Sequence, residues 1–149
     1  MSLSVTLKSA FEYVKPGLLL LLAMSIVRFL MLPVFNIPYE AGTTYTSTFI
    51  LQLIVGAYLV GQAAMNTDAS YKTLLSYAFV LAFCYQVIMA IMIAIDDFGG
   101  IETYYTDPGH SLANTWLHMG GHLLVPTIVA TIIIWIVGAL AKAMLGKKG

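Results

Sequence analysis

The chain has 149 residues, of which 60% are hydrophobic and only 9% charged, with 7 basic and 7 acidic side chains giving a net charge of +0. A soluble domain carries about 25% charged residues, so this composition excludes one, and the zero net charge leaves no electrostatic footprint for nucleic acid. The single cysteine, Cys84, excludes an intrachain disulfide, a CxxC redox pair, a CxxCH haem attachment and a four-cysteine metal site; within its apolar run it reads as a small buried hydrophobe.

A hydrocarbon layer of about 30 Å needs roughly 20 apolar residues per helix, and four runs of that order fill most of the chain. Ahead of the first, Leu3, Leu7, Ala10, Phe11 and Val14 fall at helical spacing, which predicts a short N-terminal amphipathic helix in the headgroup layer. The first span is expected from Pro16 to Phe35. Proline suits a first helical turn, and Pro33 and Pro38 mark the end. The run exceeds signal-peptide length and lacks an A-x-A-like cleavage site, so it reads as a retained anchor.

The second span is expected from Tyr45 to Ala64, the third from Thr73 to Ile95 and the fourth from Trp116 to Met144. The short segment from Asn66 to Tyr71 makes the second and third a hairpin. The segment from Asp96 to Thr115, rich in Gly, Asp, Tyr and Pro, reads as the largest loop. None of the runs alternates polar with apolar over about ten residues, as barrel strands do. The expected fold is therefore all-α: a polytopic integral membrane protein, residues 1–149 forming one domain of four antiparallel transmembrane helices.

Lysine and arginine are retained on the cytoplasmic side of a membrane. Lys8 and Lys15 precede the first span, Lys72 lies between the second and third, and Lys142, Lys147 and Lys148 close the fourth, whereas the other two loops hold neither residue. Both termini are expected to be cytoplasmic, in the inner membrane. Glu40, Asp96, Asp97, Glu102 and Asp107 then lie outside, with Tyr39, Tyr45, Tyr104, Tyr105 and Trp116 near the outer interface, where amphipathic rings are at home.

Each span carries one strong polar group. At 1.5 Å per residue, Arg28 lies roughly 12 Å below the outer end of its span, Gln52 about 10 Å, Gln86 about 15 Å and His122 about 9 Å, so the four share one level if they face inward. Spacing supports that. Ala78, Ala82, Gln86, Ala90 and Ala94 recur every four residues, as do Thr48, Gln52 and Gly56; His118 and His122 share a face with Pro126, and Gly120-Gly121 leaves room beside the imidazoles. The same stripes also read as plain helix-packing seams, and Arg28 as a side chain that snorkels to headgroups or pairs with Asp96 or Asp97.

No acidic residue falls well inside a span, which disfavours proton- or sodium-coupled cation exchange. The buried charge is positive, and guanidinium is a planar fork of donors suited to an anionic solute or lipid headgroup. Arg28, Gln52, Gln86 and His122 are therefore the expected ligand-binding residues, forming a polar layer in the outer half of the bundle that binds or passes such a group, a transport role included. An alternative takes His118 and His122, four apart on one helix face, with Asp97 as metal ligands, or uses the histidines of two facing copies for haem. No cofactor is otherwise expected. There is no nucleophile elbow, phosphate loop or dinucleotide fingerprint, so nucleophile and phosphate-loop chemistry have no support, and an enzyme acting on outer-leaflet lipid is the one enzymatic alternative left open. Membrane lipids, further copies of the chain or subunits of a larger membrane complex are the expected partners, the last making it an accessory subunit.

Overall fold

With no water to pair with, a backbone in hydrocarbon has to satisfy its own N–H and C=O groups, and a helix does this within one segment. The computed structural model describes residues 3–38, 47–106 and 111–145, and forms four helices: α1 (Leu3–Met31), α2 (Thr48–Asn66), α3 (Tyr71–Gly99) and α4 (Leu112–Leu145). All four are long and apolar enough to cross a membrane, and no strand occurs among the described residues. The chain is an all-helical integral membrane protein. Tyr39, Glu40, Tyr45, Asp107, His110, Lys147 and Lys148 lie outside the described residues.

The helix ends differ from the expected spans for local reasons. α1 begins at Leu3 and passes through Pro16 without a break. The segment expected as an amphipathic helix is helical, but it forms the opening turns of α1. Ala10 and Val14 are buried while Leu7 and Phe11 are exposed, so its apolar residues divide between bundle and surroundings. Tyr13 ties these turns down: its ring stacks on Tyr77 with centroids 4.4 Å apart, and its hydroxyl donates to the Leu59 carbonyl at 3.0 Å. At the other end α1 stops at Met31, because Pro33 disfavours helical backbone at Leu32.

Ser47 and Ser70 cap α2 and α3, accepting from the N–H groups of Ile50 at 3.4 Å and Thr73 at 3.2 Å. α3 runs on through Asp96 and Asp97 to Gly99. Gly100 closes it in the left-handed region at φ 62°, which glycine adopts without a Cβ clash. With α4 starting at Leu112, both ends of the expected 96–115 loop are helical.

Side-chain registers fix the arrangement. Tyr13 meets Tyr77 and Ser25 meets Tyr85, so α1 and α3 run parallel; Gly56 faces Ile134 and Gly138 faces Val60, so α2 and α4 do too. α3 packs on all three other helices and runs antiparallel to α2 and α4. One end of the bundle thus gathers the start of α1, the α2–α3 turn and the end of α4. The opposite end, here called the loop end, carries the segment between α3 and α4.

Packing near the first end is apolar and close. Val14, Leu18, Leu21, Val60, Ala63, Ala64, Leu74, Ala78, Leu81 and Ile134 are buried. A Cβ added at Gly138 would lie 2.5 Å from Val60 Cγ1, and one added at Gly17 would lie 2.5 Å from Leu59 Cδ1. Lipid chains are as apolar as leucine, so helices associate here through close contact at small residues. Gly120 and Gly121 differ: they are exposed and nothing lies within 4 Å of a Cβ built on either, so they face away from the bundle and open no space beside the imidazoles inside it.

Candidate functional site

Three of the four predicted polar residues form one hydrogen-bonded chain across the bundle. Gln52 on α2 donates to the Ala82 carbonyl of α3 at 3.4 Å, Gln86 donates through Nε2 to Gln52 Oε1 at 2.7 Å, and His122 Nδ1 on α4 lies 3.1 Å from Gln86 Oε1. Gln52 and Gln86 are buried, with 0% and 2% exposure, while His122 is half-buried. A four-residue stripe turned inward on α3, with alanines at positions 78, 82 and 90 buried beside Gln86, lets the neighbours approach closely enough for these bonds.

Arg28 reaches the same level from α1 but is held by a different element. Its Nη2 donates to the Tyr104 carbonyl at 2.9 Å, and its guanidinium lies 5.8 Å and 5.5 Å from the ring centroids of Tyr104 and Tyr105. These are cation–π distances. The expected alternative of an ion pair with Asp96 or Asp97 is not made: among the described residues the one side-chain ion pair is Lys15–Glu12.

The segment after Gly100 turns back into the bundle mouth, and its tyrosines are buried within the protein. Thr103, Tyr104 and Tyr105 are 3%, 2% and 5% exposed. Asp96 anchors the return: its Oδ2 accepts from Thr103 Oγ1 at 2.6 Å, Thr106 Oγ1 at 3.0 Å and Thr106 N at 3.1 Å. Tyr105 donates its hydroxyl to the Ser25 carbonyl at 2.9 Å, and burial pushes its phenol above the ordinary range, so it stays a protonated donor. Tyr104 donates to the Ile37 carbonyl, and Ser25 meets the Tyr85 hydroxyl at 3.3 Å. The part of the candidate site that sequence reasoning missed is this returning loop. Its signals were Gly99-Gly100 shortly after the apolar run and threonines placed to meet a carboxylate one turn before the helix end.

Arg28 and His122 line a common cavity of about 210 Å³, together with Ser47, Thr48, Phe49, Met89, Tyr104 and Tyr105. Arg28 also borders a second, smaller space of about 150 Å³ toward Met24, Val27, Met31 and Leu51. Gln52 and Gln86 do not line the cavity but sit behind His122. Pro126 has no N–H to give the His122 carbonyl, which loses its usual helical partner four residues on.

The metal alternative meets a different geometry. His118 and His122 have ring centroids 5.1 Å apart, and His122 turns Nδ1 to Gln86 while keeping Nε2 clear of that bond, but Asp97 accepts from Thr115 Oγ1 at 2.6 Å. Among the described residues no three His, Cys, Asp or Glu side chains form a group that could hold a metal ion. Asp97 thus does not join His118 and His122 in a three-ligand group. Asp96 and Asp97 likewise diverge, one to the loop and one to α4, as adjacent positions about 100° apart on a helix do.

No family model, curated protein or solved structure matches the chain.

Proposed function

We propose that this small integral membrane protein binds an anionic group, from a solute or a lipid headgroup, at the loop end of the bundle, with Arg28 supplying the charge. The observation that carries the reading is the shared cavity: a guanidinium from α1 and an imidazole from α4 border one space with the hydroxyl-bearing Ser47 and Thr48 of the α2 start. Guanidinium and hydroxyl donors are the groups that recognise phosphate and carboxylate oxygens. Gln52 and Gln86 orient His122 and make no direct contact with the occupant.

In this reading the loop end faces outward and both termini are cytoplasmic, since Lys8, Lys15, Lys72 and Lys142 all belong to the opposite end. Single cysteines replacing Lys72 and Glu102 in a Cys84→Ala background should react with an impermeant reagent from opposite sides of intact cells; reaction from the same side would reverse the orientation.

The binding reading is tested by thermal unfolding in detergent against a panel of phosphate, sulfate, chloride and anionic lipid. At least one anion should raise Tm in the native chain, and Arg28→Leu should remove that rise, while its anion-free Tm falls because the bond to the Tyr104 carbonyl is lost. An equal rise in both proteins would reject the assignment.

A further inference from the structure

The polar chain behind the cavity has a direction that no rotation of its members can reverse. A backbone carbonyl only accepts, so the Ala82 oxygen fixes Gln52 with its Nε2 toward α3. Gln52 Oε1 then has to accept, which fixes Gln86 with Nε2 toward Gln52 and Oε1 toward α4. Gln86 Oε1 also only accepts, so the nitrogen facing it, His122 Nδ1, carries a hydrogen. The neutral ring has one N–H. That places the proton on Nδ1 and leaves Nε2 as a bare acceptor.

Nε2 takes no hydrogen bond from the described residues and is not among their buried, unpartnered nitrogens, so it is the ring nitrogen open to an occupant of the cavity that His122 lines. Among the described residues, the groups around His122 are Arg28 from α1, Ser47 and Thr48 from the α2 start, Gln86 from α3, His118 one turn earlier on α4, and Tyr104 and Tyr105 from the loop. Arg28 and the hydroxyls offer donors. Neutral His122 offers a lone pair.

We infer that the cavity selects an anion that carries its own hydroxyl, with charged oxygens toward Arg28 and the hydroxyl donating to His122 Nε2. This rests on the anion-binding reading above and narrows it to a chemical class. Hydrogen phosphate has the required pair of groups as a free solute; a phosphatidylglycerol headgroup has them as a lipid. Sulfate has the shape and charge of the first without the hydroxyl, and phosphatidylmethanol has the charge of the second without it. A site that leaves a polar atom unpaired with one of two isosteres discriminates strongly between them.

The experiment compares binding to delipidated protein in detergent at about pH 8, where an imidazole of ordinary pKa is neutral. Inorganic phosphate is measured against sulfate, and short-chain phosphatidylglycerol against phosphatidylmethanol, each by calorimetry. Phosphate at least about tenfold tighter than sulfate identifies the solute, and the same ratio for phosphatidylglycerol over phosphatidylmethanol identifies the lipid. Equal affinities within both pairs overturn the hydroxyl selection while keeping anion binding. No binding of any of the four overturns both. Gln86→Leu, which frees the imidazole to exchange tautomers, should lower the ratio toward one while phosphate still binds; an unchanged ratio contradicts the inference. In case that variant fails to fold, 15N NMR of the native chain reads the ring directly, with His122→Asn providing the assignment. A protonated Nδ1 and bare Nε2 are expected, and a proton on Nε2 overturns the proposal.

Discussion

The two ends of the bundle are held together by different physics. Near the termini, Gly17 and Gly138 admit Leu59 and Val60, and the buried side chains are almost all aliphatic. At the loop end, Ser25, Gln52, Gln86, Asp96, Thr103 and Thr115 are buried, and each has a hydrogen-bond partner. Interhelical hydrogen bonds in membranes average only about 0.6 kcal/mol. Close packing at small residues is a recognised way to hold helices in lipid, and the first end has it, whereas the other end adds a guanidinium and two amides. The proposed anion site falls at the polar end.

The largest expected effect separates the ends by packing. Gly138→Leu drives a branched side chain into Val60 and should cost about 1–3 kcal/mol or more, read as a fall in the unfolding midpoint in mixed micelles. Gly120→Leu is its control, since that position is open, and should change the midpoint little. Equal losses would mean that the seam between α2 and α4 is not what holds the first end.

Next, Asp96→Ala removes the acceptor shared by Thr103 and Thr106 and should release the returning loop at a cost of about 1–3 kcal/mol. Hydrogen exchange should rise at residues 101–106 and leave α2 and α4 unchanged. Protection that stays intact would show that the tyrosines hold the loop without the carboxylate. Gln86→Leu should cost about 1 kcal/mol, since it removes two interhelical bonds but adds apolar contact in their place. The smallest effect is that of Tyr105→Phe, about 0.5–1 kcal/mol, because only the bond to the Ser25 carbonyl is lost and the ring remains. A loss larger than that of Gln86→Leu would place the main joint of the polar end at the loop instead of at the amides.

The division between the ends also marks what the sequence made legible. Spans follow from length and hydropathy, and counting 1.5 Å per residue was enough to put Gln52, Gln86 and His122 within reach of one another, because straight helices translate sequence position into height. Helix ends were less legible. Ser47 and Ser70 cap helices whose first residues are not especially apolar, and α3 continues past the apolar run through two aspartates. Arg28 was placed at the correct level, but its partner was not, because the loop that receives it returns through a turn with neither helical nor strand periodicity. Tyr104 and Tyr105 fit the composition of an interfacial belt, and only their contacts with Ser25, Ile37 and Arg28 distinguish a plug from a belt.

The most direct test of the account is equilibrium dialysis of radiolabelled phosphate, and separately of short-chain phosphatidylglycerol, against the purified native chain and Arg28→Leu. The account predicts saturable binding of at least one of the two, near one per chain, in the native protein and none in the variant when both are folded. Saturable binding of equal affinity in the two proteins would contradict it.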